Sequence, residues 1–339
     1  MKKMVFICIA TFFLISIFSC SIINELKNNT KSQSISNFGE SDFYFARHNK
    51  IYRLNKEKDI IEYVTDCNFN DEFANITVMD GYIYYRKVVS GDYFNNYDNL
   101  KCEIRRMKIN GKNDEKITDG YGGYFFVSKN ILYYYNFEGG NIQSVNLITK
   151  VKTDYESTKY DDLGGNTNIL VYKDRIFLPT IKLYELLEKE NKIKTLNEEM
   201  RFLNALIYKD KVFNIGNLNN KDSLCYYDLK TERISILDSA DTVKYEEPPE
   251  LTKTNNFLIY NEKVYYTLGN ATYSVNIDGS KEEKLFDESY PYMRFIFNDK
   301  IYSYIPTESD FERIENYKYK LLSVDLETGE KKDYQFPGE

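Results

Sequence analysis

The residues able to do chemistry are few and scattered. The single histidine, His48, sits in a polar turn, Arg47-His48-Asn49-Lys50, where a solvated side chain is the ordinary outcome and a general base the exception. With one histidine, neither a serine–histidine triad nor a histidine-based metal centre has its partners. Neighbouring acids occur at Asp161-Asp162 and Glu246-Glu247. Two carboxylates can hydrolyse a glycosidic bond, but only at a separation that the fold must set, so adjacency in sequence reads first as surface charge. Asn68, Asn70 and Asp71 lack the alternating ligands and the glycine of a calcium loop. Gly122-Gly123 and Gly164-Gly165 fall at crossings between repeat units, not at a phosphate-cradling turn. No catalytic residue, metal site or cofactor is therefore expected.

Cysteine chemistry is equally sparse. Cys8 and Cys20 belong to the N-terminal segment, which leaves Cys67, Cys102 and Cys225. An odd number argues against a disulfide framework, and buried thiols are the expectation, with a Cys67–Cys102 bond as the alternative.

The elements that must position any site announce themselves by composition. The 339 residues include 32 tyrosines and 22 phenylalanines, a strand-favouring bias. A hydrophobic fraction of 42% beside 29% charged residues is enough for a core. The net charge of −7 argues against nucleic acid as a partner and favours basic or neutral ones.

The chain opens with Lys2 and Lys3, followed by an uncharged apolar run over residues 4–18. That length suits an export signal rather than a membrane span. The run ends in Ile17-Phe18-Ser19-Cys20, which resembles the lipobox of bacterial lipoprotein precursors. Ile17 supplies the aliphatic position, Ser19 the small one and Cys20 the acceptor, while Phe18 is bulkier than the pattern. The resemblance implies cleavage before Cys20, a diacylglyceryl group on its sulfur, and an extracytoplasmic body anchored to the membrane by acyl chains. An uncleaved N-terminal helix is the alternative. The expected organisation is a signal over 1–19, a lipidated cysteine and tether over 20–40, and one β domain over 41–339. Within the tether, residues 32–38 are a candidate strand.

From there a phrase of polar turn, branched aliphatic and aromatic recurs. It reads Asp80-Gly81-Tyr82-Ile83-Tyr84-Tyr85, Lys129-Asn130-Ile131-Leu132-Tyr133 and Asn298-Asp299-Lys300-Ile301-Tyr302, among other copies. Two apolar runs split by such a turn form a hairpin. A second hairpin follows each copy, its first strand ending near Leu54, Ile109, Leu147, Leu187, Leu229, Ile277 and Leu326. The mean spacing of about 45 residues lies in the propeller range. The expected fold is an all-β propeller of about seven four-stranded blades, with six or eight as alternatives. Residues 42–46, 51–55 and 60–64 give the first unit only three strands. Its innermost strand must come from the tether, or residues 331–336 must complete a neighbour.

Val264-Tyr265-Tyr266-Thr267, with Tyr273-Ser274-Val275-Asn276-Ile277-Asp278-Gly279-Ser280, resembles a blade of the tyrosine-tryptophan-threonine-aspartate propellers of low-density-lipoprotein-receptor relatives. Over residues 41–336 the pattern is similar to a bacterial family of unknown function described by its likeness to that propeller. The resemblance implies the fold and leaves function open. Leu268 follows Thr267, where the receptor motif has the aspartate that bonds between blades.

In a meandering blade, the first-to-second and third-to-fourth turns share one rim; the second-to-third loops and the crossings share the other. The long insertions are expected on the second rim: loops over 87–100 and 306–318, and crossings over 156–168 and 238–256. They contain Tyr93, Phe94, Tyr97, Asp98, Tyr160, Asp161, Asp162, Tyr245, Glu246, Glu247, Phe311 and Tyr317. Long loops on one side of a rigid scaffold are the usual seat of binding. Rings can stack on sugars or grip a peptide, and carboxylates take basic groups. The leading expectation is a non-catalytic module that binds a protein, peptide or glycan. The alternatives are a carbohydrate-active enzyme using the loop carboxylates and an envelope assembly scaffold.

Overall fold

Short strands that alternate toward two neighbours cannot bury both faces alone, and the chain answers by arranging seven antiparallel sheets in a ring. The computed structural model describes residues 42–47, 49–67, 76–92, 96–120, 125–136, 141–155, 169–180, 182–190, 192–198, 202, 205–218, 221–237, 257–268, 271–288, 293–306 and 319–337. Blade 1 holds β1 (Phe43–Arg47), β2 (Lys50–Asn55) and β3 (Ile60–Asp66). Blade 2 holds β4 (Ile76–Met79), β5 (Tyr82–Asp92), β6 (Asn96–Lys108) and β7 (Glu115–Gly120). Blade 3 holds β8 (Phe125–Ser128), β9 (Ile131–Asn136), β10 (Asn141–Asn146) and β11 (Lys152–Asp154). Blade 4 holds β12 (Leu170–Tyr172), β13 (Arg175–Pro179), β14 (Leu183–Leu187) and β15 (Lys192–Asn197). Blade 5 holds β16 (Leu206–Tyr208), β17 (Lys211–Leu218), β18 (Lys221–Asp228) and β19 (Arg233–Ile236). Blade 6 holds β20 (Phe257–Tyr260), β21 (Lys263–Leu268), β22 (Ala271–Asn276) and β23 (Glu283–Phe286). Blade 7 holds β24 (Met293–Phe297), β25 (Lys300–Pro306), β26 (Tyr319–Asp325) and β27 (Lys331–Tyr334).

Local turn chemistry sets the blades. The first hairpin of most blades closes on two residues in the left-handed region, as at Lys173 and Asp174 (φ 47° and 65°) or Asn298 and Asp299 (φ 51° and 56°). This is the primed turn whose twist matches the flanking strands. The third-to-fourth turn has its own formula. Asn55, Asn146, Asp228 and Asp325 each accept, through a side-chain oxygen, the backbone N–H groups two and three residues ahead, at 2.8–3.1 Å. A left-handed residue then closes each of these four turns: Asp59, Lys150, Glu232 and Gly329.

Blade 1 has three strands among the described residues, and their side chains identify which three. Phe43, Phe45, Tyr52 and Leu54 face blade 7, whereas Tyr44, Ala46 and Ile51 face blade 2. This is the phase of second and third strands elsewhere, where Val145 and Leu147 of blade 3 likewise point back to blade 2. The β2–β3 turn also follows the third-to-fourth formula. Of the two ways to complete the first unit, residues 331–334 take the second: β27 pairs with β26 and finishes blade 7. Residues 32–38 lie outside the described residues.

Seven hydrophobic clusters occupy the seven junctions, including the one between the last blade and the first. Four outer strands feed them by the same device. The β-bulge in β3, β7, β15 and β23 leaves Val64, Ile117, Leu196 and Leu285 without a register partner, and each packs into the cluster shared with the next blade.

Tyrosine–carboxylate ties cross two of the blade junctions. In blade 7, Tyr302 and Ser323 meet the Tyr334 hydroxyl, which donates to Oδ1 of Asp59 in blade 1 at 2.7 Å. Blade 3 repeats the arrangement with Tyr133, Ser144 and Tyr155 around Glu188 of blade 4, and Tyr133 donates to Glu188 Oε1 at 2.6 Å. Burial, and then the carboxylate each faces, push ionisation of Tyr133 well above the ordinary phenol range.

Candidate binding rim

On the first rim, ion pairs and a hydrogen bond link the first turns at four of the seven blade junctions. Lys129 pairs with Asp174 of the next blade, Lys173 with Asp210 at 3.2 Å, and Lys209 with Glu262 at 2.7 Å. Where blade 6 has Asn261 in place of lysine, Tyr260 donates to Asp299 of blade 7 at 2.9 Å. Each lysine or tyrosine near one first turn thus engages the acid in the following one, and these turns have little length left over for a ligand.

The second rim differs at blade 2. Residues 87–100, expected as an open loop, are mostly strand: β5 continues to Asp92 and β6 begins at Asn96. The pairs Val88↔Cys102, Ser90↔Lys101 and Asp92↔Asn96 extend the ladder, with register shifts on both sides of Ser90. Gly91, Asp92 and the asparagines read as loop chemistry, yet a paired backbone satisfies its own polar groups and needs no favourable side chain to do so. The inner neighbour β4 pairs only with Tyr82–Tyr85, and the outer neighbour β7 only reaches Cys102. Among the described residues, the two strands beyond Val88 pair only with each other.

The root of this arm is braced. Val88 and Cys102 are buried, while Val89 is 56% exposed. Arg105 binds Glu103 at 2.5 Å and Asp114 at 3.0 Å, and Lys116 adds a second cation beside Glu103 at 3.2 Å. The hydrogen bond to Asp114 and that to Glu103 hold Arg105 firmly protonated, and Arg105 in turn keeps Glu103 below the usual carboxylate range. Tyr85 donates to Asp114 Oδ1 at 2.7 Å. Burial, and then the Asp114 charge, push the nearby Cys67 thiol up to about 12, so it is inert as a nucleophile. Cys67, Cys102 and Cys225 are all buried thiols.

Of the residues expected at a site, Tyr97 and Asp98 lie on β6 within the arm. Tyr93, Phe94, Tyr160, Asp161, Asp162, Tyr245, Glu246, Glu247, Phe311 and Tyr317 lie outside the described residues, as do Cys20, His48, Asn68, Asn70 and Asp71. Among the described residues, no three His, Cys, Asp or Glu side chains converge as metal ligands. The tyrosine–carboxylate ties at blades 3 and 7 escaped sequence reading. Their one visible signal is a serine in the third strand followed by a tyrosine at the fourth, in Ser144–Tyr155 and Ser323–Tyr334.

No family model and no curated protein matches the chain. Among solved structures, the chain is similar to a puromycin-hydrolyzing peptidase from Mycobacterium tuberculosis, with 10% identity and a TM-score of 0.48 over 85% of this chain. The chain spans about half, 49%, of that protein's length.

Proposed function

We propose that this chain is a non-catalytic binding propeller, anchored outside the cytoplasmic membrane through Cys20, which holds a protein, peptide or glycan on its second rim. The β5–β6 arm carries the reading. Its strands run to 11 and 13 residues where the corresponding strands of the other blades have five to eight. A long ribbon that extends a blade and carries Tyr97 and Asp98 in its sequence suits recognition of a partner by strand addition. The anchor rests on the lipobox-like Ile17-Phe18-Ser19-Cys20.

The decisive experiment is a pull-down with the intact chain against a variant whose residues 87–100 are cut to a two-residue turn. Loss of a partner with unchanged thermal unfolding supports the rim; retention of every partner removes it. Cys20→Ser tests the anchor separately, since the variant should no longer take up labelled fatty acid. Alanine at Asp161, Asp162, Glu246 and Glu247 tests the absence of catalysis: polysaccharide turnover that vanishes in this variant would make the protein an enzyme.

A further inference from the structure

The third-to-fourth turn of blade 3 departs from its counterparts. It joins β10 to β11 on the first rim and reads Asn146-Leu147-Ile148-Thr149-Lys150-Val151-Lys152. Leu147 is buried, but Ile148 and Val151 are 72% and 60% exposed, the two most exposed large hydrophobic side chains among the described residues. The place of Ile148 is taken by Glu57, Lys230 and Glu327 in the other turns of the same formula. Two bare aliphatic side chains thus stand at a tip where charge is the ordinary choice. The tip is also rigid. The Ile148 and Thr149 N–H groups donate to Asn146 Oδ1 at 3.0 and 2.9 Å, and the Lys150 N–H donates to the Asn146 carbonyl at 2.8 Å. The Val151 N–H donates to Thr149 Oγ1 at 3.4 Å. A turn that satisfies its own backbone can enter a poorly hydrated layer without stranding N–H groups there.

Charge on this rim is divided by sector. In blades 2 and 3 the two first-rim turns of each blade (80–81 with 108–114, and 129–130 with 146–152) hold five lysines and two aspartates. The same turns of blades 6 and 7 (261–262 with 276–282, and 298–299 with 325–331) hold two lysines and seven acids. Of the two aspartates, Asp80 and Asp114, the second is already held by Arg105 and Tyr85. Asp154, at the far end of β11, accepts from Asn141 and Gln143. Among the described residues, the ion pairs of blades 2 and 3 use Arg105, Arg106, Lys116 and Lys129. Lys108, Lys112, Lys150 and Lys152 take part in none of them and are exposed. The chain is acidic as a whole, yet this sector is basic and aliphatic.

We infer that the blade 3 turn is a contact site for an anionic lipid surface. Ile148 and Val151 enter the headgroup layer, while Lys150 and Lys152, with Lys108 and Lys112 of blade 2, meet lipid phosphates. The same surface repels the acidic sector of blades 6 and 7, so the ring leans with blade 3 lowermost. The contact needs neither the arm nor a lipid on Cys20.

The chain contains no tryptophan, so a single introduced one is a clean reporter. The full chain is prepared as Ile148→Trp and, at the equivalent place in blade 7, as Glu327→Trp. Each is mixed at low salt with vesicles of equal phosphatidylcholine and phosphatidylglycerol that carry brominated acyl chains, which quench a ring only where it enters the bilayer. The apolar N-terminal segment acts alike in both proteins, so the difference between them reads the turn. Ile148→Trp should be quenched and Glu327→Trp should not. Adding Lys150→Gln with Lys152→Gln to the first should weaken the contact about thirtyfold, about fivefold for each lysine. Vesicles of phosphatidylcholine alone should give no quenching. Ile148 and both lysines lie outside the core, so unchanged thermal unfolding confirms that the variants are folded. Absence of quenching overturns the inference, as does equal quenching of the two reporters, or quenching that survives loss of the lysines or of the anionic lipid. Shortening the arm should leave the Ile148→Trp signal unchanged, so failure here and failure of the second rim are told apart.

Discussion

The Tyr334 hydroxyl and the Asp59 carboxylate lie 2.7 Å apart and join the last strand to the first blade across 275 residues of sequence. Lys300 and Lys332 reach the other carboxylate oxygen at 3.0 and 2.8 Å, and Phe43 stacks on Phe295 beneath them at 3.7 Å between centroids. Arg47 adds a cation over the Phe336 ring at 3.8 Å. The seam of the ring is thus both apolar and charged.

Acid should loosen this seam. Burial alone would raise the Asp59 carboxyl, but hydrogen bonds from Lys332, Tyr334 and Lys300 outweigh it and hold the pKa at about 2, below the unfolded value of 3.8. A lowered carboxyl stabilises the folded state above the unfolded pKa, and the benefit disappears as pH falls from 3.8 through about 2. Asp59→Asn should cost about 1–2 kcal/mol at pH 7, the lower figure reflecting solvent screening of a partly exposed group. Near pH 2 the variant and the parent should melt together. Thermal unfolding across that pH range checks it; a constant difference would show that the carboxylate charge is idle.

Blade 3 offers an independent measure of the same chemistry. A double-mutant cycle on Tyr133→Phe and Glu188→Gln should return a coupling of about 0.5–1.5 kcal/mol, since the two side chains share a short, part-buried hydrogen bond. Ultraviolet titration should also find Tyr133 un-ionised until the protein unfolds in alkali.

The bulges can be tested at Leu285. Leu285→Ala should destabilise by about 1–2 kcal/mol, less than a fully buried leucine, because the side chain is only partly covered. Deleting Leu285 outright would regularise the ladder between Thr272 and Tyr273 but empty the junction of blades 6 and 7. The deletion should therefore melt lower than the alanine variant. If it melts higher, the bulge is a defect of pairing and not a packing device.

Lys150 and Gly329 occupy the same closing position of two blades, at φ 62° and 71°. A left-handed lysine carries a steric cost that glycine does not. Lys150→Gly should raise stability, and Gly329→Ala should lower it, each by about 1 kcal/mol. The nearest atom to a Cβ at Gly329 is Phe286 Cε1 at 3.6 Å, ordinary contact, so the loss would come from the backbone. Parallel denaturant melts of the two variants settle the sign.

The blades were legible because one local code repeats, aliphatic–aromatic pairs around a polar turn, with a second hairpin at regular spacing after each copy. Strand ends in the second hairpins fall within one residue of the positions read from Leu147, Leu187 and Ile277. The bulges were not legible. A residue such as Leu196 changes face only when its neighbours pair in a shifted register, and register belongs to the partner strand as much as to the sequence itself. The arm over 87–100 failed for a related reason. Glycine and asparagine signal loops by propensity, and a long two-stranded ladder can override propensity wherever both strands continue together. The tyrosine–carboxylate ties were hidden because their members lie 33 and 55 residues apart in blade 3, and farther still at blade 7.

The bond from Asp59 to Tyr334 also dictates the order of events during synthesis. An emerging polypeptide can stack blades one on another as each is finished, but the seam to blade 1 is complete only once β27 has been added. Loss of β27 alone would leave five four-stranded blades among the described residues and would strip Tyr334 and Lys332 from the seam, leaving Lys300 and the Phe43–Phe295 stack to hold it.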